Sequence, residues 1–213
     1  MSSSATPHRS QQTTSQRLDY IIVLDFEATC GPTVPKSDSE IIEFPMIVID
    51  TQQRAATHEF QVYVKPTLHP ILDDFCTELT GITQDQVDAG VSFVEALELA
   101  HDFVQPFVKQ RNRSAILTCG DWDLKTMLPL QAEREAVPVV SPFDKWINIK
   151  KDFELVYKTR KAGMVPMLNH LGLTLEGRHH SGIDDCRNIA RVALAMMDDG
   201  HVFGKPGTIR QRS

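Results

Sequence analysis

The first residues that could do chemistry are Asp25 and Glu27, at the end of the apolar run Tyr20-Ile-Ile-Val-Leu24. Side chains alternate across a strand, so two acids one residue apart face the same way. Side-by-side carboxylates repel each other unless a cation lies between them. Hard divalent ions such as Mg²⁺ take oxygen ligands of this kind. Alone, Asp-x-Glu is more often just a turn after a strand, because short motifs recur by chance. Three further candidates lie far along the chain. Asp123 follows the run Ala115-Ile-Leu-Thr118, and His180 and Asp185 stand where a loop becomes the last helix. Strand ends and helix N-termini are where α/β folds gather their sites. Four carboxylates suit two ions about 4 Å apart that activate a water and hold a phosphate oxygen. A histidine beside them, with a reference pKa of about 6.5, can accept that water's proton.

The last motif can be read in two registers, because His179 is five residues before Asp184 and His180 is five before Asp185. Helix geometry separates them. Asp185 shares a face with Ile189, Val192 and Met196, the apolar stripe, whereas Asp184 shares its face with Asn188 and Arg191. Asp185 is therefore the inward acid and His180 its partner. Asp184 reads as a cap or surface acid favoured by the helix dipole, and His179 lacks a matched inward acid. Asp123 likewise shares a face with Met127 and Leu130, while Asp121 suits an N-cap. Glu43 is the odd residue in its apolar run. It reads as a buried acid paired within the sheet, with a place near the metals as the alternative.

These residues need elements to position them. Residues 1–17 are Ser, Thr and Gln with almost nothing apolar, which predicts a disordered tail. Strands are expected at 20–24, at 41–50 and at 58–64, and Pro45 within the second predicts a bulge or an edge-facing position. Short helices follow from Phe75 and from Thr83, the latter with Gln86 completing a capping box. A helical stripe runs from Ser92 to Val108. The series continues with a strand at 115–118, a helix from Trp122 towards Ala136 and a strand at 146–149. It ends with a helix over 164–171 stopped by Gly172 and a last helix over 183–197. Residues 150–161 read as basic and mostly polar, and 201–213 as a flexible end. Three strands followed by helix, strand, helix, strand, helix predict a mixed five-stranded sheet with an antiparallel start and a parallel half, flanked by helices.

The motifs, in their order, resemble those of the DEDDh 3′–5′ exonucleases of the ribonuclease-H-like fold. Within that group the chain looks most like the Eri-type RNA exonucleases, relatives of the histone mRNA 3′ exonuclease. The resemblance is carried by Asp25-Phe-Glu-Ala-Thr-Cys30, Ile41-Ile-Glu-Phe-Pro45, Phe75-Cys-Thr-Glu-Leu-Thr-Gly-Ile-Thr-Gln84, Gly120-Asp-Trp-Asp123 and Gly177-Arg-His-His-Ser-Gly-Ile-Asp-Asp185, and it covers 20 to about 197. It implies a three-layer α/β nuclease domain over 18–200. Two divalent ions, Mg²⁺ or Mn²⁺, are implied on Asp25, Glu27, Asp123 and Asp185, with His180 as general base. Candidate substrate contacts are Ala28, Phe75, Leu79, Thr80 and Trp122. Core packing remains the alternative for Phe75 and Leu79. Trp122 is placed to stack on a base, and Thr80 could help line the pocket that reads a 2′-OH.

Length, charge and cysteines bound the reading. A chain of 213 residues suffices for one sizeable domain. A net charge of −6 argues against a general nucleic-acid coat, although acids gathered around metals account for part of it. Cys30, Cys76, Cys119 and Cys186 show no C-x-x-C, which predicts free thiols. Lys150, Lys151, Lys158, Arg160 and Lys161 are the clearest basic segment of the second half, a phosphate track or a solvated helix face. The expected activity is release of nucleoside 5′-monophosphates from RNA 3′ ends. The alternatives are an exonuclease acting mainly on DNA and a non-catalytic RNA-binding scaffold on the same fold. Expected partners are single-stranded RNA 3′ ends or short 3′ overhangs. We expect no membrane, a monomer, and an intracellular location in cytoplasm or nucleus, since no secretory or spanning run is present. The first 17 residues are too few for a SAP-type RNA-binding module.

Overall fold

The four aliphatics of the first strand divide between two cores. The strand β1 (Tyr20–Leu24) buries Ile21 to Leu24 completely. Ile21 and Val23 join one apolar cluster and Ile22 and Leu24 another, as the two-residue period of a strand requires. A strand buried on both faces is the middle layer of three. The structure is a computed structural model, and it describes residues 17–109, 113–160 and 162–204 and the backbone of 209–211. The tail expected over 1–17 lies outside the described residues except for Arg17.

β1 runs antiparallel to β3 (Ile41–Asp50) and parallel to β5 (Ser114–Thr118). On the far side of β3 lies β4 (Ala55–Tyr63), antiparallel to it. Beyond β5 come β6 (Lys145–Asn148), parallel, and β7 (Ile209–Gln211), antiparallel. A two-residue strand, β2 (Glu27–Ala28), continues the line of β1 along β3. The antiparallel start and parallel half are as expected, but among the described residues the sheet has seven strands, not five. Two residues were too short a signal for β2, and β7 falls in the segment expected to be a flexible end. That end is corrected in part: His201, Val202 and Phe203 are buried, and His201 Nε2 meets the buried Asp152 carboxylate at 3.0 Å.

Helices cover both faces. α1 (Asp74–Thr80) and α2 (Gln84–Asp88) cover a small third cluster around Ile42. α3 (Phe93–Val108) and α4 (Leu128–Arg134) close one face, and α5 (Ile149–Tyr157), α6 (Met164–His170) and α7 (Gly182–Asp198) close the other. The capping box of Thr83 and Gln86 is formed. α5 occupies the segment read as merely basic and polar. Its apolar stripe is short, with Ile149 and Phe153 buried between lysines.

Pro45 is neither at a sheet edge nor at a bulge, because β3 has neighbours on both sides and its register shifts fall at Val48/Ile49 and opposite Glu27/Ala28. The register places Pro45 opposite the gap between β1 and β2, where Asp25 and Phe26 leave the ladder. A residue without an N–H is tolerated there because no partner strand asks for the bond.

Candidate active site

Leaving the ladder gives Phe26 a free N–H, and it donates to Asp123 Oδ1 at 2.9 Å. Asp123 comes from the C-terminal end of β5, the strand next to β1. It opens a π-helical turn, Asp123–Met127, that leads into α4. Pro129 explains the wide turn: it cannot donate to the Lys125 carbonyl, and its ring would strike that oxygen in a regular helix. The turn leaves Asp123 buried and the neighbouring Trp122 46% exposed. Asp121, expected from the sequence to be the N-cap, does not cap this helix. Its carboxylate instead accepts Trp146 Nε1 at 3.0 Å and Lys151 Nζ at 2.5 Å, tying the loop to β6 and α5. Burial pushes Asp121 up, but the hydrogen bonds from Lys151, Trp146 and Asn148 outweigh it and bring it to about 2.

Asp25, Glu27 and Asp185 each place an oxygen within 4.8 Å of the others. Burial is the largest cause holding all of them above the ordinary carboxylate range. Asp25 is raised further by Asp123, Asp185 and Glu27. Glu27 is pushed to about 9 by burial, then by Asp185, Glu43 and Asp123. Asp123 is raised to about 6 by burial, against the Phe26 bond and Lys150. Lys150 is the cation that faces this group, lowering Asp25 and Asp123 from the start of α5. Oxygen donors that converge while repelling one another fit a hard divalent cation.

Asp185 is delivered by the first turn of α7, and Glu43 holds that turn in place. Ser181 stands at the cap position but makes no side-chain cap. Glu43, 1% exposed in β3, reaches across instead. Its carboxylate accepts the N–H of Gly182 at 3.0 Å, the N–H of Ile183 at 3.1 Å and Gln61 Nε2 at 2.8 Å. Gly182 makes this approach possible: a Cβ there would lie 2.9 Å from Glu43 Oε2 and 3.0 Å from the Asp25 carbonyl. The reading of Glu43 as a buried acid paired within the sheet holds, since Gln61 of β4 donates to it. It also holds a helix N-terminus, the turn that carries Asp185.

The histidine loop curls back onto Asp185. His180 adopts a left-handed φ of 67°, and its N–H donates to Asp185 Oδ2 at 3.0 Å. Burial, then the charge of His179, lowers the His180 pKa, with the Asp185 carboxylate acting against them. His179 is not without an inward acid. Its Nδ1 lies 3.0 and 3.2 Å from the two Asp185 oxygens, and its ring stacks on His180 with centroids 3.9 Å apart. The reversal of the chain at His180 makes this contact possible; sequence spacing does not reveal it. Asp184 proves to be a loop anchor, accepting Arg178 N–H at 2.9 Å and Arg187 Nη1 at 2.9 Å.

The candidate substrate contacts divide. Phe75 is 50% exposed and Leu79 half-buried on α1, so Phe75 is not core packing. Ala28 is buried in β2. Thr80 is also buried, and its hydroxyl donates to the Cys76 carbonyl and accepts Ile82 N–H, so it is spent inside the helix end and offers nothing to a 2′-OH. The basic segment is not one continuous track. Lys150 faces the acids, Lys151 is paired with Asp121, Lys158 ends α5, and Lys161 lies outside the described residues. Sequence reading missed Arg178, whose Nη2 donates to the Glu78 and Leu79 carbonyls. It ties the histidine loop to the end of α1. All four cysteines are free; Cys76 and Cys186 are buried, and Cys30 and Cys119 partly so.

A family model described as "Exonuclease", RNase_T, matches residues 22–193. The chain belongs to this exonuclease family. The relatives include ERI1 exoribonuclease 3 of Homo sapiens, 41% identical over 192 residues, which cover 88% of this chain and 56% of the relative. The human 3′-5′ exoribonuclease 1 is 39% identical over 186 residues, covering 85% of this chain and 53% of the relative. The chain thus spans about half the length of the curated relatives it matches. Among solved structures, the nuclease domain of 3′hExo, a DEDDh family member bound to rAMP, superposes with a TM-score of 0.84 at 36% identity, covering 92% of this chain and 98% of that one. A 3′-exonuclease recognising the histone mRNA stem-loop superposes with a TM-score of 0.87 at 34% identity, covering 96% and 74%. The ribonuclease-H-like α/β fold is therefore the fold of this chain, and the family works with divalent metal ions. Among the described residues no helix is long and apolar enough to cross a membrane.

Proposed function

We propose that the chain is a metal-dependent 3′–5′ exoribonuclease that removes nucleoside 5′-monophosphates one at a time from RNA 3′ ends. The observation that carries this reading is the convergence of Asp25, Glu27 and Asp185 oxygens within 4.8 Å, with Asp123 fixed beside them. Asp25, Glu27, Asp123 and Asp185 would hold two divalent ions, Mg²⁺ or Mn²⁺. When bound, such ions supply charge to a phosphate oxygen and make a water more acidic. His180, at the rim of the acids, takes the proton of the water as its oxygen attacks the terminal phosphorus. The bond that breaks is P–O3′, and the departing 3′-oxygen of the shortened strand gains a proton. Phe75 and Trp122 are the exposed aromatic faces for the terminal base. Lys150 faces the acids from outside and is the candidate partner for a non-bridging phosphate oxygen. Relatives named as exoribonucleases and a neighbour bound to rAMP support RNA as substrate.

The test is cleavage of one 5′-labelled strand, as RNA and as DNA, with Mg²⁺ or Mn²⁺ and with chelator. We expect a ladder shortening from the 3′ end, mononucleotide product, preference for RNA, and no reaction in chelator. Equal or faster DNA cleavage would put the DNA reading first. Binding without cleavage under every metal would leave only the scaffold reading.

A further inference from the structure

The two adjacent histidines do something that one catalytic histidine does not need. His179 and His180 each place a ring nitrogen within 4.8 Å of the other's and of an Asp185 oxygen. His179 Nδ1 already points at both Asp185 oxygens, at 3.0 and 3.2 Å. Its side chain is 42% exposed, so the cluster opens to solvent. Two imidazoles and one carboxylate are the donor set of three-ligand zinc sites, whose fourth position is left to water. This set differs in kind from the oxygen-only group of Asp25, Glu27 and Asp185. Imidazole favours Zn²⁺ over Mg²⁺ or Mn²⁺, and Zn²⁺ stands near the top of the affinity order for nitrogen donors.

We propose that His179, His180 and Asp185 form a second, transition-metal site that binds Zn²⁺ and inhibits the enzyme. Closure is a local matter. Zinc–nitrogen bonds of about 2.0–2.1 Å in a tetrahedral site set ligand atoms roughly 3.3 Å apart, which His179 Nδ1 and the Asp185 oxygens already approach at 3.0 and 3.2 Å and the His180 ring nitrogen meets within 4.8 Å. The two rings stack nearly parallel, 17° apart, so one must tilt for both nitrogens to aim at one ion, and the exposed His179 ring has room to do so. Zinc bound there occupies the ring nitrogen that would accept the water's proton. It also takes an oxygen of Asp185 away from the carboxylate group. The inhibitory half rests on the exonuclease reading, whereas the binding half does not.

Binding is tested apart from turnover. Titrate Co²⁺, a coloured stand-in for zinc, into the full chain carrying Asp25→Asn, which weakens the carboxylate group and leaves the histidine cluster whole. We expect one equivalent to bind with visible absorption of the kind nitrogen ligation gives, and stoichiometric Zn²⁺ to displace it. Adding His179→Phe keeps a ring stacked on His180 but removes a ligand. It should weaken Co²⁺ and Zn²⁺ binding by about tenfold or more, since even outer partners of ligands are worth 10- to 100-fold. In the Asp25-intact protein, His179→Phe should raise the zinc concentration that halves Mn²⁺-supported cleavage by a similar factor. Unchanged Co²⁺ and Zn²⁺ affinity in the His179→Phe protein would overturn the site. So would binding lost with Asp25→Asn yet kept with His179→Phe. Binding as expected, with no effect of zinc on cleavage, would overturn the inhibitory half alone. A chain that cleaves no nucleic acid under any metal but still binds Co²⁺ through His179 would refute the exonuclease reading and leave the site standing.

Discussion

The sharpest test of the site is the asymmetry between the two histidines. His180→Ala removes the group we propose as acceptor of the water's proton, and general bases are worth about 10² to 10⁴ in rate. His179→Ala removes a different thing, an Nδ1 contact to the Asp185 carboxylate. A hydrogen bond to a charged group contributes about 1.5–3 kcal/mol when buried. The His179 side chain is 42% exposed, and water replaces part of what is lost. About 1 kcal/mol is the expectation, or roughly fivefold in kcat if all of it is felt in the transition state. The acids should repeat the pattern. Asp185→Asn loses the inward charge and should be inactive. Asp184→Asn keeps an oxygen for the Arg178 N–H and should lose only a few-fold. The assay is kcat for all four variants on one RNA under saturating Mn²⁺, after circular dichroism shows each is folded. If His179→Ala and Asp184→Asn are the inactive pair, the register of the last motif is off by one residue, and the assignment of His180 as base falls with it.

Asp25→Asn should abolish turnover. In chelator it should also raise Tm by about 2–4 °C per kcal/mol of repulsion relieved, measured by thermal melting; a lower Tm would mean that the Asp25 charge is compensated without metal. The metal-stripped protein should lose stability as pH rises. Glu27 sits at about 9 in the fold against 4.5 for the free side chain, so the folded state holds its proton more tightly. Its contribution is fully present below about pH 4.5 and is lost as pH rises towards about 9; Tm between pH 5 and 8 should fall in chelator and flatten with Mn²⁺, and a rising Tm in chelator contradicts this. Glu43→Gln replaces one acceptor of the α7 N–H pair by a donor, so kcat should drop while KM for RNA, assigned in our proposal to α1 and Trp122, holds; steady-state kinetics separate the two. Arg178→Ala cuts the tie to the Glu78 and Leu79 carbonyls and should raise KM several-fold more than it lowers kcat, with Arg178→Lys partly restoring it.

What the sequence disclosed and what it hid follow from the range of the interactions. β1 was legible because four consecutive aliphatics have one use, burial on both faces. Asp185 was legible because Ile189, Val192 and Met196 lie on its own helix and fix its facing. α5 was not, since the stripe of Ile149 and Phe153 is interrupted by Lys150, Lys151, Asp152 and Glu154. One of those polar residues, Asp152, is buried against His201, which meets it from 49 residues away. Thr80 was misread for a local reason, because a hydroxyl near a helix end has a carbonyl one turn back to bond. Glu43 was conspicuous as an acid in an apolar strand, but its partners, Gly182 and Ile183, are 139 and 140 residues distant. Periodicity says which way a side chain points and nothing of what arrives to meet it. The distinction bears on function. The legible acids are those whose own element aims them at the centre, whereas the groups that hold this aim, Glu43, Gly182, Arg178 and Asp184, act across the sheet or between loops. A substitution at Glu43 or Gly182 should therefore leave every ligand present and still slow the reaction, by moving the first turn of α7 relative to the end of β1.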